Sequence, residues 1–236
     1  MMELDFGRKR MRVWIIGLSL LGLAACVSMK GAQTSEMPFA DPNSSTQTAP
    51  PATYRIGAEL PAGDYKLDPR HASVQFRIRH ENQLAWFTAR FNTRDATLSL
   101  NPADPSQSHL SASVDPNSID TGLPDTGDAV GFNHAIAQAI GVANTRQISF
   151  TSTAIQRTGE FTADIAGDLT MNGQTHPAVL HATFDGAVVD PLRGNKQVLG
   201  FSAHGTIKRS DWGATQWAIV ASDEVQIVIE AELVHS

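Results

Sequence analysis

The chain has 236 residues, 42% of them hydrophobic, which leaves room for one large β domain or two small ones with a real core and argues against disorder. Its formal charge is -6; without the first 26 residues, which carry Arg8, Lys9, Arg10 and Arg12 against Glu3 and Asp5, 14 basic residues face 22 acidic ones, or -8. An acidic body lacks the basic stripe that a phosphate backbone needs, which excludes nucleic acid as a natural partner and gives anionic head groups no long-range pull.

At the N-terminus a basic cluster precedes an apolar run over residues 13–23, too short to span a hydrocarbon core of about 30 Å as an ordinary helix and therefore read as a signal peptide. Leu23-Ala24-Ala25-Cys26 follows, and this resembles the bacterial lipobox, whose cysteine is diacylated and becomes the first mature residue. The competing reading is an ordinary secretory signal with a chance cysteine. Cys26 is the only cysteine, so the mature chain cannot form an internal disulfide although an exported compartment would permit one. Acyl chains on Cys26, each CH₂ worth about 0.8 kcal/mol when buried, would hold the protein to a membrane. The positions just after the cysteine, Val27 and Ser28, include no aspartate, and the sorting known from enteric lipoproteins then implies a periplasm-facing protein at the outer membrane. Residues 31–53, rich in Pro, Ser, Thr and Ala, read as a flexible tether. The expected organisation is a lipoprotein signal peptide over 1–25, the lipidated cysteine and tether over 26–53, and a folded domain over 54–236.

From Asp64 onward the pattern is that of strands. Over residues 73–80, Val74, Phe76 and Ile78 alternate with Gln75, Arg77 and Arg79, one dry face and one wet. Extended runs follow at 85–91, 96–100 and 110–114, the last ending at an Asp115-Pro116-Asn117 turn. Glycines and a proline mark 122–133 as a loop, and alanine and isoleucine at helical spacing predict a short helix over 133–142 at one barrel mouth. Runs at 147–156 and 160–169 are split by Thr158-Gly159. The organising stretch is 167–184, where two extended runs flank Asn172-Gly173, the dipeptide that best supplies the two positive φ values of a type I′ hairpin turn. A strand over 199–207 carries Gly200 and Gly205, which predict bends, and a long strand over 224–234 ends the chain. An antiparallel meander of this kind must close or cover its edges, and a closed all-β barrel is the leading architecture.

Several blocks, in order, resemble the YceI-like family of exported, lipocalin-like barrels associated with polyisoprenoid binding. They are Tyr65-Lys66-Leu67-Asp68 with His71-Ala72-Ser73-Val74-Gln75-Phe76, then Ser118-Ile119-Asp120-Thr121, Gly167-Asp168-Leu169-Thr170 with Asn172-Gly173, and Gly200-Phe201 running to Lys208-Arg209-Ser210-Asp211-Trp212-Gly213. Between 131 and 148 the chain departs from the family: Gln138-Ala139-Ile140 and Thr145-Arg146 stand where members have an Asp-Phe pair and a Tyr-Pro, so the helix at the cavity end is altered. The resemblance implies a closed antiparallel lipocalin-like β-barrel binding a long isoprenoid, a prenol or an isoprenoid quinone, non-covalently. Carried onto matching strand positions it implies a cavity lined by Phe76, Ile78, Trp86, Phe91, Phe150, Leu169, Val179, Phe201 and Ile207, against the plainer reading that these residues fill a core.

His80 shares the face of Phe76 and Ile78 and is either a polar group for a ligand head or a hydrogen-bonded structural histidine. The eight histidines show no metal-ligand spacing, and no GxSxG elbow, P-loop or dinucleotide fingerprint is present, so neither a metal, a cofactor nor catalysis is expected. Asp168, Asp211 and Glu224 sit beside turns or strand ends, where carboxylates satisfy backbone donors. Trp212 and Trp217 are either a structural corner or a partner surface and cavity gate. The alternative to a lipid carrier is a ligand-free envelope scaffold or stress-related partner-binding lipoprotein, and a homodimer is open in either case.

Overall fold

The structure, a computed structural model, describes residues 60–81, 83–123 and 127–236. The expected signal peptide, Cys26 and the tether lie outside the described residues. The strands are β1 (Gly63–His80), β2 (Ala85–Phe91), β3 (Arg94–Leu100), β4 (His109–Val114), β5 (Ile119–Asp120), β6 (Ile148–Arg157), β7 (Thr162–Met171), β8 (Gln174–Asp190), β9 (Lys196–Lys208) and β10 (Ala221–His235), with helix α1 (Gly127–Ala139) between β5 and β6.

All pairings are antiparallel, and the sheet order β10-β9-β8-β7-β6-β4-β3-β1-β2-β5 is closed by a further β10–β1 pairing. The long β1 pairs with β3 through its first residues (Tyr65↔Leu98) and with β2 through its last (Ile78↔Phe87), so β2 and β3 share one place in the wall. In the same way β4 lies beside β3 and β5 beside β2, which leaves a barrel of 8 strands. The expected closed all-β barrel is the fold.

Local chemistry sets the turns. β7 and β8 are joined by Asn172 at φ 50° and Gly173 at φ 72°, the paired left-handed conformations of a type I′ turn, as the Asn-Gly dipeptide predicts. β1 is longer than its period-two signal because Asp68, Pro69, Arg70 and His71 bulge out between Leu67↔Leu233 and Ala72↔Ala231, and the strand resumes on both sides. The bend anticipated at Gly200 falls on its partner strand, where the register slips between Phe184 and Gly186 opposite Gly200.

The helix differs from expectation. It begins at Gly127, inside the segment read as a loop, and ends at Ala139. Glycine costs a helix about 1 kcal/mol relative to alanine, but Ile136 and Ala137 are buried against Ala89, Phe91 and Ile119, and that packing outweighs it. Gly141, at φ 89°, ends it: its amide donates to the Gln138 carbonyl and the Val142 amide to that of Ala137, a Schellman closure.

Gly167 sits where no side chain fits, since a Cβ there would lie 2.4 Å from Phe150 Cζ and 2.5 Å from the Thr151 carbonyl oxygen. The Phe150 ring thus covers β7 at a bare backbone position. Gly167→Ala should displace that ring and lower stability by about 1–3 kcal/mol, read as a fall in the urea midpoint at unchanged m-value.

Candidate functional site

Period-two burial gives each strand an inward set, and the closed sheet turns all of these sets to one interior. That interior is hollow, with a cavity of about 1190 Å³ running from Pro102 and Glu160 at one end to Leu123, Phe132 and Trp217 at the helix end. Eight-stranded barrels are ordinarily just wide enough for their own side chains or one small ligand. Here the space comes from small residues at wall positions, among them Ala112, Ala178, Ala182, Ala203 and Ala231. The cavity exceeds the roughly 300–1,000 Å³ of a drug-sized site and is walled mainly by hydrocarbon. Its size and walls could accommodate a hydrophobic ligand.

All ten residues anticipated from the sequence border the cavity, but not in one manner. Phe76, Ile78, Phe91, Phe150, Leu169, Phe201 and Ile207 belong to inward sets and pack against the core clusters or the cavity itself. Trp86 borders the cavity from the outward set: the guanidinium groups of Arg77 and Arg79 lie 4.6 and 4.0 Å from its ring centroid. Trp86 and Phe91 are five residues apart and so cannot share a strand face; the inward partner of Phe91 is Phe87. Val179, 41% exposed, is likewise outward, between the inward Ala178 and Leu180. Phe87, Leu180 and Phe184 were legible from the same alternation once its phase was anchored. His80 lies in the inward register opposite Ala85 at the helix end, exposed; its carbonyl accepts from the Leu84 amide at 2.9 Å, while its imidazole makes no hydrogen bond to a described residue.

The two tryptophans of the β9–β10 connection divide their roles. Trp212 is a structural corner, 2% exposed, its indole N–H donating to the Leu169 carbonyl at 2.9 Å. Trp217 is 43% exposed and borders the cavity. Arg209 holds the loop between them: its buried guanidinium donates to the carbonyls of Ala214, Gln216 (2.8 Å), Ala221 (3.1 Å) and Ser222 (2.8 Å). Asp168, Asp211 and Glu224 are exposed and do not border the cavity.

A charged cluster lies outside the barrel at the opposite end. The β1 bulge buries the Asp68 carboxylate, which accepts from the Arg70 amide at 3.0 Å, faces His71 Nδ1 at 2.9 Å and accepts from Arg193. Arg193 also pairs with Glu232 at 3.1 Å and Asp190 at 3.4 Å. Among the described residues, Asp68, His71 and Glu232 are the group whose spacing could hold a metal ion, but the Arg193 guanidinium already occupies their common centre. The His71 hydrogen bond, joined by the Arg70 amide and side chain, holds the Asp68 carboxyl far below the usual carboxylate range despite burial.

The family model of the YceI-like domain matches residues 65–233. The chain belongs to the YceI-like family. Its relatives include the UPF0312 protein of Ectopseudomonas mendocina, 34% identical over 179 residues that cover 75% of this chain and 90% of the relative. Protein YceI of Salmonella newport is 34% identical over 180 residues, covering 72% and 86%. Among solved structures, Burkholderia cenocepacia BcnA aligns at a TM-score of 0.57 and 21% identity, over 72% of this chain and 99% of its own. A Campylobacter jejuni YCEI protein aligns at 0.57 and 23%, over 65% and 88%. At these identities the structural matches speak for the fold alone. In this YceI-like chain the blocks that carried the resemblance are those that fasten the barrel: Tyr65, Asp68 and His71 at one end, Arg209 and Trp212 at the other.

The depressed Asp68 value sets a pH dependence. Its contribution is complete above the ordinary aspartate value of about 3.9 and is lost as pH falls through the lower folded value. Asp68→Asn should therefore cost about 1–3 kcal/mol at pH 7, with the gap from wild type narrowing below about pH 4 in urea midpoints taken across that range.

Proposed function

We propose that this protein is an exported lipoprotein, acylated at Cys26 and tethered on the periplasmic side of the outer membrane, that holds a long-chain isoprenoid or similar amphiphile non-covalently in its barrel. The observation that carries this reading is the cavity: about 1190 Å³ of mostly hydrocarbon-walled space inside a closed barrel. Each 100 Å² of apolar ligand surface taken from water contributes about 2.5 kcal/mol, so a long chain binds through many weak contacts with no need of a specific one. The inward register of His80 at the helix end, with its imidazole bonded to no described residue, supports a role for it in meeting a polar head such as a prenol hydroxyl or a quinone carbonyl. Membership of the YceI-like family and the lipobox-like Leu23-Ala24-Ala25-Cys26 support the ligand class and the anchor.

Mass spectrometry of solvent extracts from the natively purified protein should yield about one equivalent of prenol or isoprenoid quinone. Ala182→Phe/Ala203→Phe, which narrows the interior from adjacent strands, should lose it while the barrel's circular dichroism persists. A folded barrel that yields no lipid and gains no thermal stability from added prenols would overturn the carrier reading in favour of a scaffold.

The anchor is tested separately. Labelled palmitate fed to expressing cells should enter the wild-type chain and be absent from Cys26→Ser, which should also remain unprocessed.

A further inference from the structure

We propose that the helix end of the barrel docks rim-first on an anionic lipid bilayer, so that ligand passes between membrane and cavity without crossing water; this rests on the reading that the cavity takes an amphiphile. Large apolar side chains stand exposed around that end: Leu84 at 79%, Leu123 at 51%, Phe132 at 40%, Trp217 at 43% and Ile219 at 89%. They come from four separate segments, the β1–β2 turn, the stretch after β5, helix α1 and the β9–β10 connection, which the topology gathers at one end. Leu123, Phe132 and Trp217 border the cavity itself. At the other end the exposed Val188, Val189 and Leu192 do not. Of the two rims, as far as their described residues go, the helix end is the one where exposed large apolar side chains border the cavity.

The rim is held in place. The Glu81 amide donates to the Val220 carbonyl at 2.7 Å, tying the first rim segment to the last, and the Phe132 ring sits edge-on to Phe87 at 5.8 Å. Glu81, Gln83 and Trp217 adopt φ of 45°, 80° and 58°, a region that bulky residues rarely enter and that persists only where surrounding structure imposes it.

The chemistry of the rim selects a lipid surface. Beside the apolar residues, Trp86 carries Arg77 and Arg79 against its ring, and neither guanidinium pairs with a carboxylate of a described residue. Tryptophan with arginine at the edge of an apolar patch suits the boundary between acyl chains and anionic head groups. The acidic body repels such a surface at long range, but beyond about 8–10 Å that repulsion is screened at physiological salt, and contact is decided by the rim. The proposed anchor at Cys26 would permit this contact without enforcing it.

The test mixes the mature chain with phosphatidylethanolamine and phosphatidylglycerol vesicles containing acyl-brominated lipid, and follows tryptophan fluorescence. Quenching of Trp86 and Trp217 is expected, with the buried Trp212 spared, as Trp86→Phe and Trp217→Phe variants would resolve. Leu84→Glu/Ile219→Glu should reduce quenching several-fold without altering the circular dichroism, and phosphatidylcholine in place of phosphatidylglycerol should weaken it. No quenching in wild type, or quenching indifferent to Leu84→Glu/Ile219→Glu, overturns the proposal, as does a dimer in sedimentation whose formation buries the rim. Rim-dependent quenching by a protein whose extracts hold no lipid would support docking while removing the carrier reading; a loaded cavity without quenching would do the reverse.

Discussion

The pairing of β1 with β10 is the constraint on which this structure depends. It joins the first strand to the last from Tyr65↔His235 to His80↔Ala221, and without it both would be edges with unpaired amides and carbonyls. Closure also fixes the direction of every side chain. Once the ring is shut, one parity of each strand faces a common interior and the other faces water, and a single register slip would exchange the two. The bulge at Asp68 to His71 is tolerated because it falls between two stretches of β1–β10 pairing in which the parity is right on either side. Arg193, bridging Asp68 and Glu232 across that bulge, ties the strand ends where the ladder is interrupted.

A closed barrel of this size is normally a packed core. The difference here lies in the inward residues, where alanines are interspersed among the leucines, isoleucines and phenylalanines of the wall. Buried clusters around Tyr65 and Leu199 at one end, and around Trp212 with Leu169 at the other, supply compact hydrophobic contact. Stability is thus concentrated near the ends and the middle is left open. The closed backbone ladder, continuous around the ring, holds such a wall without packing across the lumen. Such preorganisation lowers the ordering cost that a flexible apolar guest would otherwise meet in a collapsible site.

Helix α1 and the β9–β10 connection finish one end of this container with different means. The helix packs Ile136 and Ala137 inward against Ala89 and Phe91. The connection is wound around the Arg209 guanidinium, whose donors take up four backbone carbonyls, and is pinned by the buried Trp212 and Ala214, so the loop has a fixed shape. Both carry exposed apolar residues beside the opening, and both are fastened to the strands beneath. Fold-level similarity to BcnA and to the Campylobacter jejuni protein extends to the barrel and not to what the barrel holds.

The amino-acid sequence by itself determined the strands, the Asn172-Gly173 hairpin, the sheet's need to close and the family, because these rest on local φ preferences, on period-two hydrophobicity and on ordered motifs. Seven of the candidate lining residues were legible for the same reason: Phe76 and Ile78, for example, belong to one unbroken alternation. Trp86 and Val179 also border the cavity, but from the outward register, a distinction that needs the phase of their strands anchored at Phe91 and Leu180. What only the tertiary structure decided is whether the interior is full or hollow, since that depends on the sum of inward volumes across eight places in the ring, which no single strand reveals. The helix start at Gly127 and the burial of Asp68 were decided there too. Burial against distant strands overrode the glycine signal in the first case, and the partners of the carboxylate include Arg193, remote in the chain and near only once the barrel has closed.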